Sequence, residues 1–342
     1  AHRFTVDVLD TVSGTVSNAS DFTVEQSIDV TGCAAAPFPS GVAIDAQQNI
    51  AAVTLPGCSA VALIDLSNGT GQTVNVGNNP LGVAVIPRLH LAVVANAGSG
   101  NASIVDEFGA TVINTITTGA GSAGVAADQD TGEAVVANSV ANTASVLNVT
   151  TGGVSTISTG QRPVAAGFNN QNHQVAVAAT SSNSLGVADA KSSAIGLNFA
   201  VQIPTSVVYD PVTGDLGNDC GTASNTVGCF LVNSSTTNKL FVIDPTTQQQ
   251  TTFNIGINPT AIAYNYLTST LVSTNTLSHT VTVADFLDKR IRAVLALPPA
   301  PPNSNLALTG ALQFAVDIHP LTNLAVIADT ANGRVLFIPI PR

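Results

Sequence analysis

Charge is scarce in this chain, and the scarcity excludes several functions at once. Asp, Glu, Lys and Arg together make up 9% of the residues, far below the roughly one quarter usual in soluble domains. Solubility must therefore rest on hydroxyls, amides and any attached sugars. Lys and Arg number ten against 21 Asp and Glu, for a formal net charge of −11. Ten scattered cations cannot build the basic face that a polyanion needs, so nucleic acid is excluded as a partner. Trp and Met are absent and aromatics reach only 4%, which leaves Ala and Val to build the core. Small and β-branched residues of that kind suit tightly packed sheets. No run approaches the ~18 apolar residues that cross a bilayer as a helix, so no transmembrane segment is expected. The chain begins at Ala1 without a signal-peptide pattern and reads as a processed mature chain or a fragment.

Cysteine is also rare, and its spacing is informative. Cys33 and Cys58 form one local pair and Cys220 and Cys229 another, with no Cys-x-x-Cys spacing. That spacing disfavours zinc. Of the three possible connectivities, the local one closes short loops, and an oxidising compartment would preserve both bridges. An extracellular or cell-surface location follows as an expectation, with four unrelated buried thiols as the alternative.

What the chain does have is a repeat. Pro39-Ser-Gly-Val-Ala-Ile-Asp45 and Pro80-Leu-Gly-Val-Ala-Val-Ile86 start two units, and related starts follow at Ser122, Pro163, Pro204, Pro259 and about Gln313. The first five starts lie about 41 residues apart, the period of a four-stranded propeller blade. The two later intervals are longer: one carries Cys220 and Cys229, the other a proline-rich stretch from Leu297 to Pro302. Within one unit, Gly82–Ile86, Leu91–Asn96, Ser103–Asp106 and Thr111–Thr117 read as four short strands bounded by turn residues. Second strands end in Val-Val-Ala-Asn at Asn96 and Asn138, in Val-Ser-Thr-Asn at Asn275 and in Ile-Ala-Asp at Asp329, while third strands recur at Val61–Asp65, Leu240–Asp244 and Val281–Asp285. In these places the chain resembles the YVTN family of β-propeller repeats, and more distantly the NHL and lactonase-type propellers, over roughly residues 23–342. The expected fold is all-β: a seven-bladed propeller over residues 21–342, preceded by an extension at 1–20.

The last unit stops after its third strand, Arg334–Ile338. Residues 23–32 match the fourth strand and exit glycine of the second unit, Thr111–Gly119, nearly position for position, so this N-terminal segment is expected to supply the missing strand and close the ring. Residues 3–9 then form a spare strand. It could lie along an edge of its own molecule, add to a neighbouring copy through Phe4, Val6 and Val8 as an inter-subunit strand, or fray as a tail.

Chemistry is hard to find. Second-to-third-strand loops such as Asn96–Asn101 and Asn138–Asn142 hold amides, hydroxyls and small residues, which cannot act as general acids or bases near neutral pH. The resemblance to lactonase-type propellers implies a channel site of acids, histidine or arginine. No such set matches here: only His279 and Asp329 fall in suitable loops, and both read as turn residues. His90, His173 and His319 fall in first-to-second-strand turns at the opposite end, with no compact ligand spacing. The repeated Asp65, Asp106, Asp189, Asp244 and Asp285 read as Asx turns rather than a calcium ring. No catalytic, metal or cofactor residues are expected. Asn18, Asn68, Asn101, Asn148 and Asn233 head N-glycosylation triplets. The expected function is a non-enzymatic secreted or cell-surface propeller, a structural subunit of an assembly or filament whose partners are other copies of itself or other surface components. A carbohydrate- or peptide-binding propeller is the alternative, and a lactonase- or lyase-type enzyme stands behind both.

Overall fold

The computed structural model describes residues 4–8, 26–28, 38–211, 228–297, 314–330 and 333–340. The insertion bearing Cys220 and the proline-rich stretch beyond Leu297 lie outside them. Alternating Ala and Val flanked by Gly, Asn and Asp dictate short strands with tight turns, and the chain folds into six four-stranded antiparallel sheets and one five-stranded sheet. Blade two is representative. Its strands are Pro80–Ile86, Leu91–Asn96, Asn101–Asp106 and Thr111–Thr117, close to the ranges read from the repeat. The second and third strands are buried along their length while the fourth is mostly exposed, so burial falls from the middle of each blade outward.

The ring is held by seven hydrophobic clusters, each shared by two consecutive blades. The cluster of Val42, Ile44, Val53 and Ile64 includes Val326, Val335 and Phe337, and so joins blade one to blade seven. The others fill the remaining six seams in order. Seven seams for seven blades is the condition for a closed ring. First strands crowd together around the axis, and a Cβ at Gly82 would strike the carbonyl of Ala123 on the next blade. That close approach explains the glycine in the Pro-x-Gly-Val-Ala pattern.

Closure uses the N-terminal segment, in a different order from the expected one. Blade seven contributes Phe314–Ile318, Leu324–Asp329 and Arg334–Pro339. Its fourth place is taken by Phe4–Val8, running parallel to Arg334–Pro339 with Thr5 opposite Arg334 and Val8 opposite Phe337. Gln26–Ile28 pairs antiparallel on the outer side of Phe4–Val8. The strand regarded as spare therefore holds the fourth seat, and Gln26–Ile28, the described part of the segment expected there, lies outermost. The physical reason is that a ladder needs only extended chain with free N–H and C=O groups. Likeness of residues 23–32 to Thr111–Gly119 is a likeness of side chains and does not set the order. Phe4, Val6 and Val8, for which the sequence left an edge of the same molecule, a neighbouring copy and a frayed tail open, belong to a strand paired on both edges within its own chain.

Candidate functional site

Two ends of the ring carry polar chemistry. At the upper end, Asn96 Nδ2 donates to Asn101 Oδ1 at 2.8 Å and to Ser103 Oγ at 2.9 Å. Asn138 repeats this with Thr143 and Ser145, and Asn275 with Thr280 and Thr282. In blade seven an ion pair replaces the amide, Asp329 Oδ2 accepting from Arg334 Nε at 2.8 Å. The exit glycine of the preceding blade lies against that amide, so a Cβ at Gly119 would come within 2.8 Å of the Asn138 amide. The Asn endings of the second strands are thus structural latches.

At the lower end, residues closing the first strand meet the first-to-second turn of the next blade. Asp45 Oδ2 lies 3.8 Å from His90 Nδ1, Asp128 Oδ2 lies 3.4 Å from His173 Nδ1, and Asn265 Nδ2 donates to Asn323 Oδ1 at 2.8 Å. His90 and His173 hold left-handed backbone at φ 55° and 57°. His319 is different: its Nδ1 accepts from the backbone N–H groups of Leu321 and Thr322, both at 3.2 Å, as Asp and Asn do in the other blades. Burial pushes the His319 imidazole below its usual value, opposed in part by hydrogen bonding and by the charge of Asp45. The three histidines are spread over blades two, four and seven, each with its own surroundings, and no group of three metal-binding side chains exists among the described residues.

Glu107 is buried beside Asp45, although it opens a third-to-fourth-strand turn. Burial first, then contact with Asp45 and the charges of Asp45 and Asp106, push its carboxyl up to about 9. By contrast, the Asp65 carboxyl is held below its usual value, chiefly by the Ser67 hydroxyl and backbone N–H.

A central cavity of about 1160 Å³ runs along the innermost strands. Arg162 and Asp317 are the charged residues on its wall among the described residues. Asp317 touches the channel along part of its surface and is otherwise enclosed, so burial pushes it up to about 6 against the N–H groups of Ile318 and Ile44. Its Oδ2 accepts from Ile44 N at 2.8 Å across the seam between blades seven and one. At the upper mouth Thr180 and Thr205 are already committed, donating to the carbonyls of Pro204 and Pro259 on the following blades.

The residues singled out from sequence fall as follows. His279 sits at φ 50° in its turn. Asp65, Asp106, Asp189, Asp244 and Asp285 each accept from backbone N–H groups two or three residues on, the geometry of Asx turns. Cys58 and Cys229 are disulfide-bonded, whereas Cys33 and Cys220 lie outside the described residues. Asn18 lies outside them too. Asn68 is exposed at its turn, and Asn101 and Asn148 are half-buried. Asn233 corrects the expectation for its triplet: it is fully buried, with Nδ2 donating to Ala261 O and Ser273 Oγ, and a glycan needs that same nitrogen and open solvent. Glu107 and Asp317 were missed. The signal was in the repeat columns: Glu107 stands where other blades have Leu66, Val149, Ala190, Pro245 and Phe286, and Asp317 where they have Ala43, Ala84, Ala126, Gly167, Val208 and Ala263.

No protein-family model matches the chain, and no curated protein does. Among solved structures, a chain of hydrazine synthase from Kuenenia stuttgartiensis is similar, with a TM-score of 0.71 over 91% of this chain and 99% of that one, at 16% identity. The likeness is one of fold: a seven-bladed β-propeller.

Proposed function

We propose that the chain is a non-enzymatic propeller working outside the cell or at its surface as a structural subunit, assembling with copies of itself through its N-terminal strand. The last blade carries this reading. It has three strands contiguous in sequence, and its fourth comes from the far end of the chain through main-chain pairing. Such a ladder does not record which copy supplied the strand, so the same seat accepts a strand from a neighbour.

Five of the outer edges support this, whereas that of blade six, Arg290–Ala296, carries two arginines. Gly71–Asn75, Thr111–Thr117, Val154–Ser158, Leu197–Ala200 and Gln249–Asn254 contain no charge and no proline, the devices that guard sheet edges against pairing. The disulfide state of Cys58 and Cys229 and the low charge support an oxidising, extracytoplasmic location. The YVTN-type resemblance of the repeats is consistent with a surface protein.

A second reading, a carbohydrate- or peptide-binding propeller, is favoured by the cavity and by Arg162, which is exposed at the cavity wall. An enzyme of the hydrazine synthase or lactonase kind has less support, since Arg162 and Asp317 belong to blades four and seven. Electron microscopy and light scattering of the full chain, and of a chain lacking residues 1–20, test the proposal. The truncated chain loses the fourth strand of blade seven but keeps every residue of the seven hydrophobic clusters, so both should keep the circular dichroism of a folded propeller, and the full chain alone should form concentration-dependent polymers. Single particles in both samples overturn it and favour the ligand-binding reading.

A further inference from the structure

Two carboxyl groups meet at the lower end of the seam between blades one and two. Asp45 is fully buried. Its Oδ1 accepts from Gln47 N at 2.8 Å and Gln48 N at 3.0 Å, while its Oδ2 has no donor. Glu107 is 5% exposed, and neither of its oxygens has a donor. Both groups converge on His90, whose carbonyl accepts from Glu107 N at 3.1 Å and whose Nδ1 lies 3.8 Å from Asp45 Oδ2. As two carboxylates they only accept and only repel, and a buried unpaired charge is costly. One proton between them turns the repulsion into a hydrogen bond.

We propose that Asp45 and Glu107 share one proton across this seam, making the junction of blades one and two a proton-binding site that tightens the ring as pH falls. The place Glu107 occupies explains why the neutral form suits it. In five other blades the same position is apolar, and Val149, Pro245 and Phe286 are buried there.

The surrounding titratable groups define the site. His90 lies 3.8 Å from Asp45, beyond hydrogen-bond range, with its ring against Phe108 at 4.8 Å between centroids. Asp106 adds negative charge beside Glu107, and His319 from blade seven feels the charge of Asp45. With Glu107 raised to about 9, the folded chain holds one more proton than the unfolded chain from the ordinary Glu range up to that pH. Stability is therefore fully present in acid and lost as pH rises through the window.

The test is equilibrium unfolding of the full chain at pH 6 and pH 8, wild type against E107Q, whose amide keeps a donor but does not titrate. Between the two pH values the unfolding constant of the wild type should rise about 100-fold relative to E107Q; an equal response in both proteins overturns the proposal. Infrared spectroscopy at pH 8 gives a measurement that does not depend on the stability of E107Q. A protonated carboxyl band in the wild type that disappears in D45N supports the shared proton, and no such band in the wild type overturns it. Zinc or manganese ions that raise the melting temperature of the wild type but not of E107Q also overturn it, since a metal would then be the bridge.

Discussion

At the upper end of the ring, neutral amides and glycines recur at Asn96, Asn138 and Asn275, with an Asp329–Arg334 ion pair in blade seven; at the lower end, carboxyls and imidazoles meet at Asp45, His90, Asp128 and His173. Asn96, Asn138 and Asn275 each tie the second strand to hydroxyls on the third, and each lies under the exit glycine of the blade before. None of these groups titrates, so the latches are the same at every pH. The lower seams hold Asp45 with His90 and Glu107, and Asp128 with His173. The Asn265–Asn323 contact there is neutral on both sides. The repeated fold thus divides its work: the amide latches supply pH-independent register, and the lower end concentrates its proton chemistry on a few seams, above all those beside blade one.

Breaking an upper latch should produce the largest effect. A Cβ at Gly256 would overlap the Asn275 amide of the next blade, which is itself fully buried and has nowhere to move. Gly256→Val should destabilise the chain by about 3 kcal/mol or more in denaturant unfolding, equally at pH 5 and pH 8. Asn275→Ala removes the donor to Thr280 and Thr282 and leaves two hydroxyls less satisfied, for a loss of about 2 kcal/mol. Its pH response should match the wild type. A latch variant whose cost changed with pH would dissolve the distinction between the two ends.

The upper end was legible in the sequence because it repeats. Asn at the end of a second strand and Gly at the exit of a blade recur at fixed spacing, and the strand ranges of blade two follow from that spacing almost unchanged. The lower seams were less legible because their chemistry lies in departures from the repeat. Glu107 and Asp317 are single charged residues in otherwise small or apolar columns, and reading down one unit shows neither. Their partners come from other blades, Asp45 for one and Ile44 for the other, so no local spacing signals the contact. Closure failed to be legible for another reason. Residues 3–9 and 23–32 both alternate as strands, and main-chain pairing does not distinguish between them.

Asp317 sharpens the comparison at the other seam of blade one. Its carboxyl is raised to about 6 by burial, so the folded chain binds an extra proton between the ordinary Asp range and that pH. Stability from this group is present in acid and lost as pH climbs from about 4 to 6. Channel water screens the group, which reduces the effect to about 1.5 kcal/mol, roughly half of what the whole shift would give. Asp317→Asn should flatten this part of the profile while leaving the Glu107 window above pH 6 intact, as read from melting temperatures at half-unit pH steps.

The smallest effect is expected at Asp65, whose depressed carboxyl has the opposite sign. Its bonds to Ser67 N at 2.8 Å and to Asn68 Nδ2 at 2.7 Å are solvent-exposed, so water replaces them at little cost. Because its folded value lies below the ordinary one, any stability it adds is present at neutral pH and lost as pH falls. Asp65→Ala should cost no more than about 0.5 kcal/mol at pH 7, with less cost in acid, where the wild-type side chain is protonated too. Were this exposed turn to matter as much as Asn275, exposure would not separate structural anchors from ordinary turns in this ring.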